Sequence, residues 1–199
     1  MDKQYGITGL YRSRNKYVHY NDLSLEDEWQ LEVYLHALGL LKRHNLRSIV
    51  DIGCGSAYKL LTYFDDYETI GLELPVNVQV LKERYPNKQW QISDFTTNPS
   101  ITTDVVICSD VIEHLVDPDE LLAFIKRISY HYLVVSTPDR SLIYRPWQRG
   151  YWGPPNNKAH QREWNFDEFY KYLSAHFDVI DHRVTNLQQW TQMAICKPK

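Results

Sequence analysis

Cysteine, long apolar runs and excess charge are all scarce in this 199-residue sequence. Its three cysteines, Cys54, Cys108 and Cys196, lie in or beside apolar stretches and have neither the paired spacing of a zinc site nor a C-x-x-C redox motif. No stretch reaches the roughly 18 consecutive apolar residues of a transmembrane helix. The net charge of −3 gives no positive field to attract nucleic acid or an anionic membrane. We therefore expect a cytoplasmic protein with buried, reduced thiols and no membrane or nucleic-acid partner.

Aromatic residues are abundant instead, with 15 tyrosines and 6 tryptophans that are concentrated at the two ends and in residues 144–172. The chain length suits a single domain spanning residues 1–199. The first 22 residues contain tyrosines among basic residues without clear periodicity, which indicates an arm packed on the domain or, alternatively, a lid over a ligand. Ser24 is a good helix cap, and the acids that follow it predict a helix to about Lys42.

Short apolar segments alternate with helical ones through the middle of the chain. Five of them are predicted to form strands, at residues 49–52, 69–73, 89–92, 104–108 and 132–136. This alternation predicts an α/β fold with a doubly wound, mostly parallel sheet and right-handed crossovers. Residues 177–184 and 190–196 follow as two strands joined by a short turn, so we expect a C-terminal antiparallel hairpin.

Two of the predicted helices have clear start signals. Asp117 followed by Pro118 supplies a cap and a first-turn proline, and Asn165 caps a helix that extends through His176. Residues 137–164 lie between the fifth strand and the second of these helices, and they are rich in proline, glycine and tryptophan. A segment of this length without regular structure is usually functional in a compact domain, so it is predicted to be a substrate loop.

The segment at residues 48–57 joins a buried strand to a helix through a turn with two glycines. Gly53 and Gly55 can adopt backbone angles closed to other residues and let a ligand approach the main chain. The G-x-G-x-x-G fingerprint of NAD-binding proteins would need a third glycine where this chain has Tyr58. Instead, Asp51 precedes the first glycine by two residues, and Ala57 occupies the third glycine position of a D-x-G-x-G-x-G pattern. A strand, glycine turn and helix start of this kind predict a nucleotide-binding site.

This pattern resembles motif I of the class I S-adenosylmethionine (SAM) dependent methyltransferases. The order of predicted elements also resembles the seven-stranded, Rossmann-like fold of that family, and the resemblance covers about residues 45–198. It implies four parts, namely an N-terminal arm and helix (1–44), a SAM-binding core (45–136), a substrate loop (137–164) and a C-terminal helix with a hairpin (165–199).

The resemblance implies SAM as the cofactor, bound where ligands of such sheets bind, at the carboxyl ends of the strands. Glu73 would accept hydrogen bonds from both ribose hydroxyls, and Asp94 with Phe95 would contact the adenine. The implied contacts to the amino-acid part of SAM come from Asp51, Gly53, Gly55, Ser109 and Asp110.

Two histidines are the candidates for catalysis. His114 is the first candidate general base, because an ordinary imidazole titrates near neutral pH. The sequence Asp110-x-x-Glu113-His114, followed later by His160-x-x-Glu-Trp, resembles the metal-binding pattern of small-RNA 3′-end 2′-O-methyltransferases, with Asp110 in place of a glutamate. Its first half also resembles ubiquinone-pathway O-methyltransferases. The resemblance implies Glu113, His114 and His160 as ligands of Mg²⁺, although the interpretation we favour from sequence is a metal-free base.

The sequence thus predicts a SAM-dependent O-methyltransferase that acts on a small hydroxyl-bearing molecule as a monomer or homodimer. A sugar or natural-product intermediate is the first expectation, because tyrosine and tryptophan walls pack well on such rings. Two alternatives remain open. One is a metal-dependent RNA 2′-O-methyltransferase, against which the net charge argues, and the other is a non-enzymatic SAM-binding regulatory subunit.

Overall fold

The computed structural model describes residues 4–7, 9–16, 18, 23–24, 28–93, 95–96 and 99–199. These residues form seven strands in one sheet: β1 (Ser48–Ile52), β2 (Glu68–Glu73), β3 (Gln89–Ile92), β4 (Val105–Ser109), β5 (Tyr132–Pro138), β6 (Asp178–Asn186) and β7 (Thr191–Lys197). Their order across the sheet is β3-β2-β1-β4-β5-β7-β6. Strands β1 to β5 run parallel, whereas β7 is antiparallel to both β5 and β6. The predicted α/β sheet with a C-terminal antiparallel hairpin is confirmed.

Six α-helices of the described residues flank the sheet: α1 (Leu31–His44), α2 (Tyr58–Tyr63), α3 (Pro75–Arg84), α4 (Pro118–Ile125), α5 (Arg140–Ile143) and α6 (Phe166–Ser174). A 3₁₀ turn at Ile112–His114 follows β4. Within the described part of the chain, no helix combines the length and apolar character that crossing a membrane requires.

The sheet has an apolar core on each of its faces, which explains why the central strands are apolar at every position. In β4, Val106 and Cys108 belong to the core that includes residues of α4 and α6. Val105 and Ile107 belong to the opposite core, together with residues of α1, α2 and α3. Because successive side chains of a strand point to opposite faces, a strand that is buried on both faces reads as a continuous apolar run.

The first helix begins later than the sequence predicts. Gln30 has a left-handed backbone with φ of 61°, so helical geometry starts only at Leu31, and Ser24 lies in a turn. The backbone N–H of Gln30 donates to Gln189 Oε1 at 2.8 Å, and its side-chain Nε2 donates to Asp110 Oδ2 at 2.6 Å. These distant contacts hold Gln30 outside the helix. The prediction that Ser24 caps this helix was therefore wrong, and residues 25–27 lie outside the described residues.

The other two predicted caps are confirmed. Asp117 accepts a hydrogen bond from the backbone N–H of Asp119 at the start of α4. Asn165 and Glu168 form a reciprocal capping box at the start of α6.

The N-terminal arm packs on the segment that precedes α6, as far as the arm is described. Trp164 Nε1 donates to the backbone carbonyl of Tyr5 at 2.7 Å, and the backbone N–H of Glu163 donates to Tyr11 Oη at 2.8 Å. The Arg162 guanidinium lies 4.4 Å from the centroid of the Tyr5 ring. Aromatic and charge-assisted contacts thus fix the arm beside the predicted substrate loop.

Candidate functional site

A cavity of about 1140 Å³ opens at the carboxyl ends of β1, β2 and β4. Residues at or just after the ends of these three strands line it, among them Gly53, Glu73 and Asp110, and the lining also includes residues of the predicted substrate loop. Ligand pockets usually measure about 300–1,000 Å³. The cavity therefore has room for a nucleotide-sized cofactor and an acceptor side by side.

The turn after β1 has the backbone geometry that its glycines predict. Gly53, Gly55 and Ala57 have φ of 74°, 55° and 61°, all in the left-handed region. A Cβ atom on Gly53 would lie 2.4 Å from a methyl carbon of Val111, so a larger residue does not fit there. Ala57 adopts the same left-handed geometry at the position where the family pattern has glycine, which costs about 1–2 kcal/mol for a residue with a side chain.

Asp51 lies beneath this turn and outside the cavity wall. It is fully buried, and its Oδ2 accepts a hydrogen bond from Tyr34 Oη at 3.0 Å. Tyr34 itself lines the cavity. Asp51 is therefore linked to the cavity by its hydrogen bond with Tyr34. Tyr34 could not be recognised from sequence, because it lies on a helix before β1 and belongs to no motif.

Glu73, at the end of β2, lines the cavity where the resemblance assigns the cofactor ribose. Its Oε2 accepts hydrogen bonds from the backbone N–H of Leu74 and, at 3.1 Å, from Asn77 Nδ2 on α3. Phe95 lines the same part of the cavity and packs edge-on against Phe124, with ring centroids 5.5 Å apart. Asp94, the predicted adenine contact, lies outside the described residues.

Ser109 and Asp110, at the end of β4, belong to a hydrogen-bond network with Gln30 and Ser136. Asp110 Oδ1 accepts from Ser136 Oγ, and Oδ2 accepts from Gln30 Nε2, both at 2.6 Å. Ser109 Oγ lies 3.3 Å from Gln30 Oε1. Burial raises the pKa of Asp110 above its usual value. Both oxygens of Asp110 are thus engaged at the cofactor side of the cavity, and Gln30 is a wall residue that the sequence analysis missed.

Two side chains that follow β4 and one from the substrate loop converge into a candidate metal centre. Glu113, His114 and His160 each offer one ligand atom, and these atoms lie within 4.8 Å of one another. The two imidazole rings meet edge-to-face, with centroids 4.9 Å apart. All three residues line the cavity. Asp110, which stands in place of a glutamate in the metal-binding pattern that the sequence resembles, is not a member of this group.

The Glu113 carboxyl group is fully buried and only partly hydrogen-bonded. Its Oε2 accepts from Thr137 Oγ1 at 3.1 Å, whereas its Oε1 has no hydrogen-bond partner among the described residues. Burial, together with the nearby Asp110, raises the pKa of Glu113 well above its usual value. A buried carboxylate with an unsatisfied oxygen is costly unless a cation or a proton compensates for its charge.

Hydrogen bonds define the tautomers of both histidines. His114 Nδ1 lies 3.2 Å from the carbonyl oxygen of Ala159, so Nδ1 carries the proton. His160 Nδ1 lies 2.6 Å from Glu163 Oε1, and its Nε2 lies 2.9 Å from Asn157 Nδ2. These partners assign Nε2 of each ring as the nitrogen with a lone pair. Burial lowers the pKa of His114 to about 4, so this imidazole is neutral at neutral pH and is a weak base.

The sheet order, the glycine turn after β1 and the acid at the end of β2 define a class I SAM-dependent methyltransferase. The model of a family of methyltransferase domains matches residues 25–190, and the chain belongs to this family. No curated protein sequence matches the chain.

Solved structures share the fold at low sequence identity. The methyltransferase domain of bacterial CtHen1 has a TM-score of 0.64 at 20% identity, over 85% of this chain and 99% of that chain. The N-methyltransferase NodS from Bradyrhizobium japonicum WM9, in complex with S-adenosylhomocysteine (SAH), has a TM-score of 0.61 at 12% identity, over 89% of this chain and 94% of its own. Magnesium protoporphyrin IX methyltransferase from Synechocystis PCC 6803, also with bound SAH, gives 0.58 at 16% identity, over 85% and 83%. These likenesses establish the fold.

Proposed function

We propose that the chain transfers a methyl group from SAM to a hydroxyl group, and that Glu113, His114 and His160 hold a divalent metal ion that takes part. The observation that carries this proposal is the convergence of one ligand atom from each of the three residues within 4.8 Å, on the wall of the cavity that holds the predicted cofactor residues. The proposal departs from the metal-free base that the sequence favours.

The residues fit a metal ion in two respects. Glu113 brings a buried carboxylate oxygen that lacks a hydrogen-bond partner among the described residues, and a cation would compensate for its charge. His160 is held by a carboxylate on the nitrogen opposite the candidate ligand atom, an arrangement typical of metal-binding histidines. One carboxylate oxygen and two imidazole nitrogens suit an ion such as Mn²⁺ or Mg²⁺. Asn157 would have to give up its contact with His160 Nε2 when the ion binds.

The chain's own residues mainly supply alignment and exclude water. The methyl group of SAM is already activated, so an enzyme accelerates its displacement chiefly by holding the acceptor oxygen in line with it. Gln30 and Asp110 brace the cavity wall beside the cofactor, and Glu113 with the two histidines defines the acceptor side. When bound, the metal ion would lower the pKa of the acceptor hydroxyl and fix its position.

The pKa of His114 argues against a role for this residue as a simple general base. A base with a pKa of about 4 has little driving force to remove a hydroxyl proton near neutral pH. Neutral imidazole is, in contrast, the form that binds metal ions.

The acceptor class is also part of the proposal. A small ring-containing molecule with a hydroxyl group suits the cavity, because the aromatic side chains of Trp29, Tyr34 and Trp190 line it and can pack against such a ring. The second candidate is a 2′-hydroxyl of RNA. It is favoured by the D-x-x-E-H and H-x-x-E-W sequences, which resemble the pattern of small-RNA 3′-end 2′-O-methyltransferases.

Chelation tests the proposal. Methyl transfer from radiolabelled SAM to a panel of short RNAs, nucleosides, nucleotides, sugars and phenols should stop in EDTA and return when Mn²⁺ or Mg²⁺ is added. Full turnover in EDTA would contradict the metal centre and leave a metal-free base. Absence of SAM turnover with every acceptor, in a protein that binds SAH, would favour the regulatory subunit.

A further inference from the structure

Basic residues are segregated in this chain. Residues 4–16 contain three basic residues and residues 140–162 contain five, and neither range contains an aspartate or a glutamate. The two ranges together carry +8, so the rest of the chain carries −11 and brings the total to −3. The two ranges also pack against each other. The backbone N–H of Arg12 donates to the carbonyl of Trp152 at 2.9 Å, and that of Arg14 donates to the carbonyl of Gln161 at 2.7 Å.

Three of these eight basic residues have structural partners. Arg140 pairs with Glu168 in the interior, and Arg162 donates to backbone carbonyls at the end of the 3₁₀ turn. Arg14 Nη1 donates to the carbonyl of Asn157 at 2.9 Å and to that of His160 at 3.2 Å. These three residues hold the arm and the loop in place rather than face a ligand.

The other five form what we call the basic rim: they are exposed and have no ion-pair partner in the described part of the chain, and they are Arg12, Lys16, Arg145, Arg149 and Lys158. Two members of the rim are close in sequence to residues that line the cavity. Asn157, which precedes Lys158, lines the cavity, and so does Ile143, two residues before Arg145. At physiological ionic strength charges are screened over about 8 Å, so the charges near a bound ligand affect it more than the net charge of the chain does.

Two tryptophans close to these basic residues in sequence have much of their surface exposed. Trp147 lies between Arg145 and Arg149 in sequence and is 82% exposed. Trp152 is 47% exposed, and its Nε1 donates to the carbonyl of Pro146 at 3.1 Å, which fixes the ring over the loop. Exposed aromatic rings interleaved with basic side chains are typical of surfaces that stack nucleobases and neutralise phosphates.

We propose that the acceptor is a nucleotide unit, whose phosphate is bound by the basic rim and whose base stacks on an exposed tryptophan, while its hydroxyl group enters the cavity beside His160. This inference rests on the proposed function for the location of the acceptor and adds its chemical class. The free nucleotide conjugate and the end of a single-stranded nucleic acid share this chemistry. Binding of either ligand is compatible with the negative net charge of the chain, because the basic residues are concentrated in residues 4–16 and 140–162.

Binding measurements without SAM and in EDTA test the inference independently of methyl transfer. The probe is a fluorescently labelled single-stranded RNA of about ten nucleotides, with unlabelled UDP, uridine and glucose as competitors. We expect UDP or the RNA to bind at least about tenfold more tightly than uridine. The affinity of the tighter ligand should decrease as the salt concentration is raised from roughly 50 to 200 mM. UDP that competes as well as unlabelled RNA would identify a nucleotide conjugate, whereas competition by RNA alone would identify a single strand.

The variant that tests the rim combines Arg145→Glu, Arg149→Glu and Lys158→Glu. The control is Lys82→Glu, because Lys82 is exposed on α3 and does not belong to the basic rim. The combined variant should weaken binding at least about tenfold, the control should not, and thermal unfolding should show that both are folded. Trp147→Ala should also weaken binding. Equal affinity for uridine and UDP, or a folded combined variant that binds like the control, would overturn the inference. Glu113→Gln should still bind the probe, so a failure of the metal proposal can be distinguished from a failure of the rim.

Discussion

Replacing Glu113 with glutamine should reduce the rate of methyl transfer by roughly 10²–10³-fold or more and leave the affinity for SAH unchanged. Glutamine keeps the shape of the side chain, and its Oε1 can still accept the hydrogen bond from Thr137. It removes the negative charge that a cation needs in the group formed with His114 and His160. The measurement is the initial rate of transfer from radiolabelled SAM, with calorimetry of SAH on the same preparation.

Glu120→Gln is the matched control, because Glu120 is exposed on α4 and is not among the described residues that line the cavity. Its rate should equal that of the unmodified protein. A Glu113→Gln protein with a near-normal rate would contradict the metal centre, since a carboxylate that only flanks a catalytic histidine tolerates the loss of its charge. Catalysis would then have to be assigned to a metal-free site.

Replacing Arg140 with leucine should lower the free energy of unfolding by about 3–5 kcal/mol. Arg140 is buried, pairs with Glu168 at 2.8 Å and donates to the carbonyl of Glu163 at 3.1 Å. Its guanidinium also lies 4.7 Å from the centroid of the Tyr11 ring. The substitution leaves the Glu168 carboxylate buried without its cation and loosens the arm. Urea unfolding, followed by circular dichroism, measures the change.

An exposed pair in the same protein provides the control. Arg183 lies 2.6 Å from Asp181, and half of its side-chain surface is exposed, so Arg183→Leu should cost no more than about 1 kcal/mol. Adding Glu168→Leu to Arg140→Leu should recover part of the lost stability, because it removes the unpaired charge. Equal losses for Arg140→Leu and Arg183→Leu would show that the buried pair does not fix the arm in the way that its contacts indicate.

The fold could be predicted from sequence because its signals are local. Strands buried on both faces read as continuous apolar runs, and Asp117 and Asn165 mark helix starts with side chains that bond within three residues. The positions of Gly53 and Glu73 relative to these strands, together with the family resemblance, predict a cofactor at the carboxyl ends of the strands, where the structure has its cavity. Parallel strands also require crossover connections, and the helices predicted between them supply these.

Residues whose roles depend on distant contacts could not be predicted. Gln30 reads as part of a helix, yet its contacts with Asp110 and Gln189, 80 and 159 residues away, hold it in a left-handed geometry. Asp110 resembles a metal ligand in sequence, whereas its two oxygens are bonded to Gln30 and Ser136. Partners of this kind are set by tertiary packing, and no local pattern encodes them.

The net charge of the chain does not by itself decide whether the acceptor is anionic. A net charge of −3 argues against an anionic ligand only if the charges are evenly distributed, and here residues 140–162 contain five basic residues and no acid. The sequence contains this separation, but its meaning depends on knowing that Asn157 and His160 line the cavity. The charge of a segment therefore indicates what a site binds only when the structure shows that the segment contributes to that site.

Calorimetric titration of SAH into the Glu73→Ala protein measures whether the cofactor binds at the end of β2. Loss of the carboxylate should leave the ribose hydroxyls without their charged acceptor and weaken binding by about 1.5–3 kcal/mol, which is roughly 10- to 150-fold. Glu83→Ala on α3 is the control, because Glu83 is exposed and bonds only to Gln79 among the described residues. The account predicts weakened binding for Glu73→Ala alone. An unchanged affinity in a folded Glu73→Ala protein would contradict it.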